Sequence, residues 1–181
     1  VNSPSFSGVL RIWSAACSTG QEPYSIAMAL QDCGALKQGT VVQILATDVS
    51  ASALDKARQG RYTQLEVGRG LPVNLLLRHF DQEGTQWVVK PSLKRAVNFQ
   101  PVNLLEPLPS LGRFHVIFCR NVLIYFKDSD KRRMLSQLRA SMLPDGYLFL
   151  GSSESGVRFS YDLKYDTCNK AVFYRPKLED E

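Results

Sequence analysis

Short apolar runs alternate with amphipathic stretches along this chain. Two runs, at residues 9–15 and 41–49, are nearly continuously apolar, as are strands buried on both faces of a sheet. The first run is followed by apolar residues at helical spacing from Tyr24 to Leu30. The second is followed by a polar stretch of helical length. The pattern therefore predicts two successive strand–helix units.

Residues at the ends of the two predicted helices are typical of helix caps. Ser18 or Thr19 can accept a hydrogen bond from the first turn of the first helix, and Ser50 can do so for the second. Glycine favours the left-handed conformation that ends many helices, so Gly34 and Gly60 are the predicted C-terminal limits.

The second half of the chain continues the alternation. The predicted elements are strands at residues 96–105, 113–121 and 147–153, and a helix at 128–142. A Pro-Asp-Gly turn at 144–146 precedes the third of these strands. The last apolar run, 170–176, is predicted at a sheet edge because Pro176 cannot donate to a ladder. Together these elements predict an α/β fold with a mostly parallel sheet and helices on both faces.

The alternation is interrupted between Gly60 and Ala96. This stretch has a helical pattern at 73–80 and a hairpin pattern at 81–91, so a small inserted β-hairpin subdomain is predicted at about residues 61–96. Residues 69–95 contain five Lys or Arg and two acidic residues. That excess of positive charge fits either a solvated surface or a docking surface for an acidic partner.

Length and composition fit one domain with a single sizeable core. The chain has 181 residues, of which 44% are hydrophobic and 22% charged. The opening "VNSPSFSG" has the serine, proline and glycine content of a linker, so residues 1–10 are predicted to be linker and 11–181 the folded domain. No run approaches the roughly 20 apolar residues of a membrane span, and no secretory signal opens the chain. These features predict a cytoplasmic protein that is not embedded in a membrane.

Cysteine spacing bears on whether the chain binds a metal, and net charge bears on the class of its partner. The four cysteines are scattered and form no CxxC pair, so no metal site is predicted. The net charge of +5 fits an acidic protein partner or a nucleic acid, although a modest excess spread over a surface is more often plain solvation. Charge alone does not choose among them.

Residues that can carry chemistry follow the predicted parallel strands. Ligands of such sheets bind beyond the carboxyl ends of the strands, where the strand order reverses. The residues expected to meet there are Ala15, Glu22, Asp48, Asn103, Leu104, Asn121 and Val122. A carboxylate that ends the second strand, as Asp48 does, can accept both hydroxyls of a ribose, although it can equally cap the following helix.

The loop at residues 16–22 indicates which nucleotide would fit. It lacks both G-x-G-x-x-G and G-x-x-x-x-G-K-[ST], the glycine patterns that bind pyrophosphate and triphosphate. It carries Glu22, which a phosphate site would avoid. S-Adenosylmethionine fits instead, because it offers ribose hydroxyls to Asp48 and has a sulfonium and an ammonium near which a carboxylate is favourable.

Five motifs along the chain together resemble one family. They are "RIWSAACSTGQEPYSIAM", "ILATDVSASALDKARQGRY", "VNLLEPLP", "FHVIFCRNVLIYF" and "LPDGYLFLGSSES". They are similar to the CheR-type chemoreceptor methyltransferases, which transfer methyl groups from S-adenosylmethionine to receptor glutamates. The resemblance implies a Rossmann-like class I methyltransferase fold. It also implies cofactor contacts at Glu22, Asp48, Asn103, Leu104, Asn121 and Val122. Tyr125 would lie close to the reacting methyl group, with core packing as its alternative role.

The resemblance implies a protein-glutamate O-methyltransferase that yields S-adenosylhomocysteine and acts on a chemoreceptor cytoplasmic helical bundle or a similar acidic protein. The family's upstream helical domain has an Asn-x-Thr-x-Phe-Phe-Arg segment that this chain lacks, so residues 1–10 are interpreted as a remnant of that domain. The hairpin loop is shorter than in members that use a receptor-tethering peptide, which favours a member without a tether.

Other functions remain as alternatives. A module that binds S-adenosylmethionine or S-adenosylhomocysteine as a sensor or adaptor would keep the same pocket without transferring methyl groups. A nucleic-acid methyltransferase is disfavoured, since "RNVLIYF" stands where such enzymes have an Asn/Asp-Pro-Pro-Tyr/Phe loop. The sequence does not determine the oligomeric state.

Overall fold

A seven-stranded sheet and a smaller three-stranded sheet organise the protein, in a computed structural model that describes residues 8–32, 40–154, 162–168 and 171–177. The described strands are β1 (Val9–Ala15), β2 (Val41–Asp48), β3 (Arg61–Thr63), β4 (Phe80–Glu83), β5 (Gln86–Val89), β6 (Val97–Pro101), β7 (Phe114–Cys119), β8 (Met142–Leu150), β9 (Leu163–Cys168) and β10 (Ala171–Pro176). The described helices are α1 (Gln21–Asp32), α2 (Ala51–Gln59), α3 (Gln64–Val67), α4 (Val73–His79), α5 (Pro91–Lys94) and α6 (Asp128–Ala140). No helix in these ranges is long and apolar enough to cross a membrane.

The large sheet has the order β6-β2-β1-β7-β8-β10-β9. The pairs β6–β2, β2–β1, β1–β7 and β7–β8 are parallel, whereas β10 is antiparallel to both of its neighbours. The chain leaves β1 towards β2 and β6, then returns on the other side of β1 to form β7 and β8. The strand order therefore reverses between β1 and β7, and the predicted mostly parallel sheet is confirmed.

The core lies on both faces of the large sheet. Alternate residues of β1 point to opposite faces, so Leu10 and Ile12 join the cluster beneath α1 and α2, while Trp13 and Ala15 join the cluster beneath α6. Trp13 is fully buried, and its indole Nε1 donates to Thr47 Oγ1 of the neighbouring strand at 2.9 Å. The buried polar atom is thus satisfied within the sheet.

The ends of the two N-terminal helices follow the sequence only in part. Ser50 caps α2 by accepting from Ala53 N, and Gly60 ends it in the left-handed conformation, as predicted. α1 begins at Gln21, so neither Ser18 nor Thr19 is the residue directly before it. The predicted end of α1 at Gly34 lies outside the described residues, as do residues 1–7 of the predicted linker. The linker boundary at residue 10 is wrong, because Val9 and Leu10 already belong to β1 and Leu10 is buried in the core.

Three predictions for the second half of the chain are wrong. β10 is not an edge strand, because β9 pairs with its outer side, and Pro176 is tolerated as the last residue of the strand. The helix predicted at 128–142 forms as α6, but it ends at Ala140 because Met142 begins β8. β8 also takes in the predicted turn at 144–146 as an irregularity in its pairing with β7.

The inserted segment forms more structure than a hairpin. β4 and β5 make the predicted hairpin, and β3 pairs with the other side of β5. Its apolar residues join the core beneath α1, since Tyr62, Phe80 and Leu93 pack in the same cluster as Tyr24. The insertion is therefore held against the first strand–helix unit.

Candidate functional site at the strand switch point

The loops after β1, β2, β6 and β7 meet at the carboxyl edge of the large sheet. Backbone hydrogen bonds tie the loops after β1 and β6 to the end of β2, with Cys17 N donating to Thr47 O at 2.8 Å and Val102 N donating to Asp48 O at 3.1 Å. Because the order reverses between β1 and β7, the loops that follow these two strands diverge and leave a crevice. The topology thus places the predicted residues at one edge.

Two cavities open at this edge. The larger is a groove of about 940 Å³ beside α1, and its polar lining residues include Ser18, Glu22, Arg120 and Asn121. The smaller is a mostly apolar slot of about 70 Å³, lined by Asp48, Val49, Val102, Asn103, Leu104, Leu105, Val122, Phe126 and Met134. Ala16 lines both cavities, so they adjoin. Most of the groove is lined by apolar residues of α1 and the sheet, but its charged and polar groups adjoin the apolar slot. This combination suits a ligand with a charged end and a flat apolar end.

Strained backbone is concentrated at the same edge. Among the described non-glycine residues, those with positive φ are Ala16 at 57°, Ser18 at 50° and Asn121 at 59°. All three line the groove. Such conformations cost free energy and persist where the surrounding structure holds them, often at binding sites. Their location therefore supports a binding function for the edge.

Gly20 shows what comes close to the loop after β1. Its φ is 93°, and a Cβ added there would lie 2.8 Å from Ala57 Cβ of α2 and 3.2 Å from the Tyr62 hydroxyl. Tyr62 also donates to Thr19 O at 2.7 Å. The absence of a side chain at Gly20 thus allows α2 and the insertion to pack closely on the loop. It does not serve the approach of a ligand at this position.

Glu22 lies in the first turn of α1 and faces the groove. The hydroxyl of the fully buried Ser14 donates to Glu22 Oε1 at 2.7 Å, and Arg120 Nη1 lies 3.6 Å from Oε2. Burial raises the pKa of the Glu22 carboxyl, while the Ser14 hydrogen bond and the Arg120 guanidinium oppose that rise. A partly desolvated carboxylate of this kind favours a cationic ligand group.

Asp48 is the last residue of β2, and its carboxylate binds the backbone of the loop after β1 and of the loop after β2. Its Oδ2 accepts from Ser18 N at 2.7 Å, and its Oδ1 accepts from Ser50 N at 2.9 Å. Asp48 also lines the slot. Each carboxylate oxygen has a further lone pair, so the structural role at the start of α2 leaves Asp48 able to accept from a ligand.

Asn103 and Leu104 form one wall of the slot after β6. The Asn103 side chain is engaged at both ends, since its Oδ1 accepts from Leu105 N and its Nδ2 donates to Glu106 Oε1, each at 3.0 Å. Leu104 is buried and presents apolar surface. The predicted pair therefore offers the slot a rigid, mainly apolar side.

Asn121 and Val122 follow β7 and are held by a residue that the sequence analysis did not single out. Their backbone N–H groups donate to the carboxylate of Glu154, each at 2.8 Å. Glu154 lies 33 and 32 positions further along the chain. The sequence could have indicated Glu154 only by its position in "GSSES", directly after the last predicted parallel strand. It is the pairing of β8 with β7 that brings Glu154 beside the loop after β7.

Two predicted residues lie apart from the cavity walls. Ala15 is buried in the core beneath the site, and its neighbour Ala16 lines the cavities instead. Tyr125 lies on a short 3-10 helix, Leu123–Tyr125, and 78% of its surface is exposed. Core packing, the alternative role for Tyr125, is therefore excluded, and its side chain is accessible to a partner.

Cys17 lines the groove but is a poor nucleophile. Burial, reinforced by the Asp48 carboxylate, raises the pKa of its thiol to about 12. The thiolate is the reactive form, so a thiol with this pKa is almost fully protonated at neutral pH. The arrangement does not favour covalent catalysis through Cys17.

The donor set fits S-adenosylmethionine. Glu22 can face an ammonium or sulfonium, Asp48 can accept from two ribose hydroxyls, and the apolar slot beside Asp48 can take an adenine ring. The small slot and the larger groove adjoin at Ala16, as one extended ligand requires.

A solved structure of a TehB-like S-adenosylmethionine-dependent methyltransferase from Corynebacterium glutamicum resembles this one with a TM-score of 0.57. The match covers 93% of this chain and 80% of that chain, at 13% sequence identity. At this identity the likeness concerns the fold alone. The predicted Rossmann-like methyltransferase fold is confirmed.

Closer relatives exist in sequence. Chemotaxis protein methyltransferase 1 of Pseudomonas aeruginosa is 47% identical over 174 residues, which cover 93% of this chain and 63% of the relative. Chemotaxis protein methyltransferase Cher2 of Pseudomonas putida is 44% identical over 176 residues, which cover 93% of this chain and 62% of the relative. The chain thus spans less than two thirds of the length of these relatives. The family described as CheR methyltransferase, SAM binding domain, matches residues 2–171, so the protein belongs to the CheR methyltransferase family and this chain contains the family's S-adenosylmethionine-binding domain.

Proposed function

We propose that this domain binds S-adenosylmethionine at the strand switch point and transfers its methyl group to glutamate side chains of a chemoreceptor. The observation that carries the proposal is the convergence of Glu22 and Asp48. These carboxylates come from two successive strand–helix units, and each is fixed by a 2.7 Å hydrogen bond beside adjoining cavities. Membership of the CheR family points to the methylated partner.

Glu22 binds the cationic end of the cofactor in this proposal. In the described structure its nearest cation is Arg120, whose side chain is half exposed and only 3.6 Å away. An incoming ammonium can replace this weak pair, because an exposed arginine regains its hydration when it moves away. Ser14 stays behind as the fixed donor that keeps Glu22 oriented.

Asp48 and the slot bind the nucleoside end. Two hydroxyls of one ribose match the two oxygens of the carboxylate, and the backbone N–H groups of Ser18 and Ser50 keep that carboxylate from rotating. The walls from Leu104 and Val122 exclude water from an adenine face. Binding thus orients the cofactor before any acceptor arrives.

S-Adenosylmethionine supplies an electrophilic methyl group on a sulfonium. The acceptor glutamate has an ordinary pKa of about 4.3 and is ionised at neutral pH, so no residue of the chain must act as a base. The task of the protein is to hold the acceptor in line with the methyl group, which can lower the barrier by roughly 7–11 kcal/mol. We assign Tyr125, which is exposed beside the loop after β7, to positioning the acceptor.

The partner in this proposal is the cytoplasmic helical bundle of a chemoreceptor, which places the protein in the cytoplasm. The part of the insertion nearest the groove is the proposed docking surface, although some of the insertion's positive charge pairs with acidic residues of the protein itself. Arg78 pairs with Asp32 at 2.8 Å, and Lys90 lies 3.7 Å from Asp81. Arg69 is exposed and borders a pocket of about 380 Å³ that it shares with Gln21 of α1. Since Gln21 also lines the groove, Arg69 is the insertion residue best placed to meet an acidic acceptor.

Isothermal titration of S-adenosylhomocysteine into this chain tests the binding site. Asp48→Ala should weaken binding by about 10- to 100-fold, because two hydrogen bonds to a charged acceptor are lost. Asp55→Ala is the matched control, since Asp55 is an exposed carboxylate of α2 that pairs only locally with Arg58. Wild-type affinity in Asp48→Ala would contradict the assignment of Asp48.

Methyl transfer is tested with methyl-labelled S-adenosylmethionine and a receptor cytoplasmic fragment. Label that is released as methanol by mild alkali identifies a carboxylate ester, whereas alkali-stable label indicates an amine acceptor. Binding without transfer, in the presence of receptor, would favour the sensory or adaptor module over the methyltransferase.

A further inference from the structure

The carboxylate of Glu154 accepts four backbone hydrogen bonds. Oε2 accepts from Gly151 N at 2.6 Å and from Asn121 N at 2.8 Å. Oε1 accepts from Val122 N at 2.8 Å and from Ile124 N at 3.3 Å. Three of the four donors belong to the loop after β7, so one side chain bridges the ends of β7 and β8.

Apolar packing holds the loop after β7 at Leu123 and Val122, but not at Asn121. Of residues 120–125, only Leu123 is buried. Asn121 is exposed and has a φ of 59°, a conformation that costs free energy for any residue with a Cβ. Consecutive N–H groups that converge in this way form a concavity that attracts an anion, and here the anion is an internal carboxylate. Charge-assisted hydrogen bonds therefore anchor the backbone of Asn121 and Val122, in addition to the apolar packing of Val122 and Leu123.

Gly151 makes room for this bridge. A Cβ at position 151 would lie 2.6 Å from Glu154 Oε2, 2.9 Å from Asn121 N and 3.1 Å from Asn121 Nδ2. All three distances are too short for a side chain to fit without moving the carboxylate or the loop. The absence of a side chain at Gly151 therefore allows the Glu154 carboxylate to reach the backbone of Asn121.

We propose that Glu154 is a positioning residue of the cofactor site, whose carboxylate holds Asn121 and Val122 in the conformation that contacts S-adenosylmethionine. The inference rests on the proposed cofactor site, because both loop residues line its cavities. Glu154 does not line either cavity and acts only through the backbone of the loop. Its charge also makes the edge more negative, which suits a cationic cofactor.

Two measurements on the same variants test this inference. Glu154→Gln keeps the size of the side chain, but its amide nitrogen faces backbone donors and cannot accept from them. Hydrogen exchange of the free protein should show about tenfold or greater loss of protection at the amides of Asn121 and Val122, with the strand amides of β1 unchanged. The affinity for S-adenosylhomocysteine should fall about tenfold or more.

Gly151→Ala should reproduce both effects, because its new Cβ displaces the same carboxylate. The double variant should lose less affinity than the sum of the single changes, since both act on one contact. Glu66→Gln is the matched control. Its carboxylate also accepts a backbone N–H, from Thr63, but in the insertion. It should lower stability and leave the affinity for S-adenosylhomocysteine unchanged.

The outcomes separate this inference from the function on which it rests. If the wild-type chain binds S-adenosylhomocysteine and Glu154→Gln binds equally well, the inference is wrong and the proposed function stands. Unchanged protection of the loop amides in Glu154→Gln would also overturn it, whatever the affinity. If neither this chain nor the full-length protein binds S-adenosylhomocysteine, the proposed cofactor site fails, and the positioning role fails with it.

Discussion

At the scale of single residues, Glu22 is the proposed contact for the cationic end of the cofactor, and its burial disfavours the charged form of its carboxyl group. Glu22 was identified from the sequence because an acid in this loop argues against a phosphate ligand. The structure adds the reason why its charge matters, since it is partly desolvated and bonded to the buried Ser14. Residues arranged for function often cost stability in this way.

Glu22→Gln should make the free protein more stable at neutral pH while weakening cofactor binding. Burial raises the pKa of Glu22 in the folded state above its value in the unfolded chain. Stability linked to this group is therefore fully present below the unfolded-state pKa and is lost as pH rises through the folded-state pKa. The variant should melt about 2–4 °C higher than wild type near pH 8, a shift on the order of 1 kcal/mol.

Thermal melts between pH 3.5 and pH 8 check this prediction. The difference between Glu22→Gln and wild type should shrink towards acid pH, where Glu22 is protonated in both states. Glu83→Gln removes the half-exposed partner of Arg61 in the hairpin and should not raise the melting temperature at pH 8. A variant that is less stable than wild type at pH 8 would show that the bonds from Ser14 and Arg120 outweigh the burial of Glu22.

At the scale of elements, the strand ends and helix caps that shape the site have local signals. Ser50 and Gly60 limit α2 as their residue types predict, because a cap depends on atoms only a few positions away. The β9–β10 pair shows the opposite case. β9 is mostly polar or exposed along its length, so its membership of the sheet depends on β10, not on its own apolar pattern.

Ser50→Ala should lower the free energy of unfolding by about 1 kcal/mol, because the hydroxyl that accepts from Ala53 N is lost. Urea unfolding measures the change. Ser129→Ala is the matched control, since it removes an exposed hydroxyl from the first turn of α6 that is not the cap of that helix. Equal loss in the two variants would contradict the capping role.

At the scale of the whole molecule, the insertion and the large sheet face the site together. Tyr62 of the insertion bonds to the loop after β1, and Arg69 borders the pocket between the insertion and α1. Of the five basic residues counted in this segment, Arg95 lies just before β6, at the amino end of that strand. Arg69 and Arg95 are both exposed, but Arg69 shares its pocket with Gln21, which also lines the groove, whereas Arg95 lines a separate pocket beside Val42.

Arg69→Glu should slow receptor methylation about fivefold at low salt, as expected for surface charge interactions on the order of 1 kcal/mol. The affinity for S-adenosylhomocysteine should not change. Arg95→Glu makes the same charge change away from the groove and should leave the rate near that of wild type. The difference between the two variants should diminish at high salt, where charges are screened. Equal rates at low salt would remove Arg69 from the docking surface.

The sequence by itself determined the strand–helix order, the α/β class and the carboxylates and amides that follow the parallel strands. These depend on apolar periodicity and on residue types at strand ends, which are local properties. Only the tertiary structure decided that β9 pairs with the outer side of β10 and that α2 packs against Gly20. The same holds for the hydrogen bonds from the loop after β7 to Glu154. Each of these joins segments far apart in the chain, and such contacts are set by sheet order and packing. No local pattern records which strand will become a neighbour.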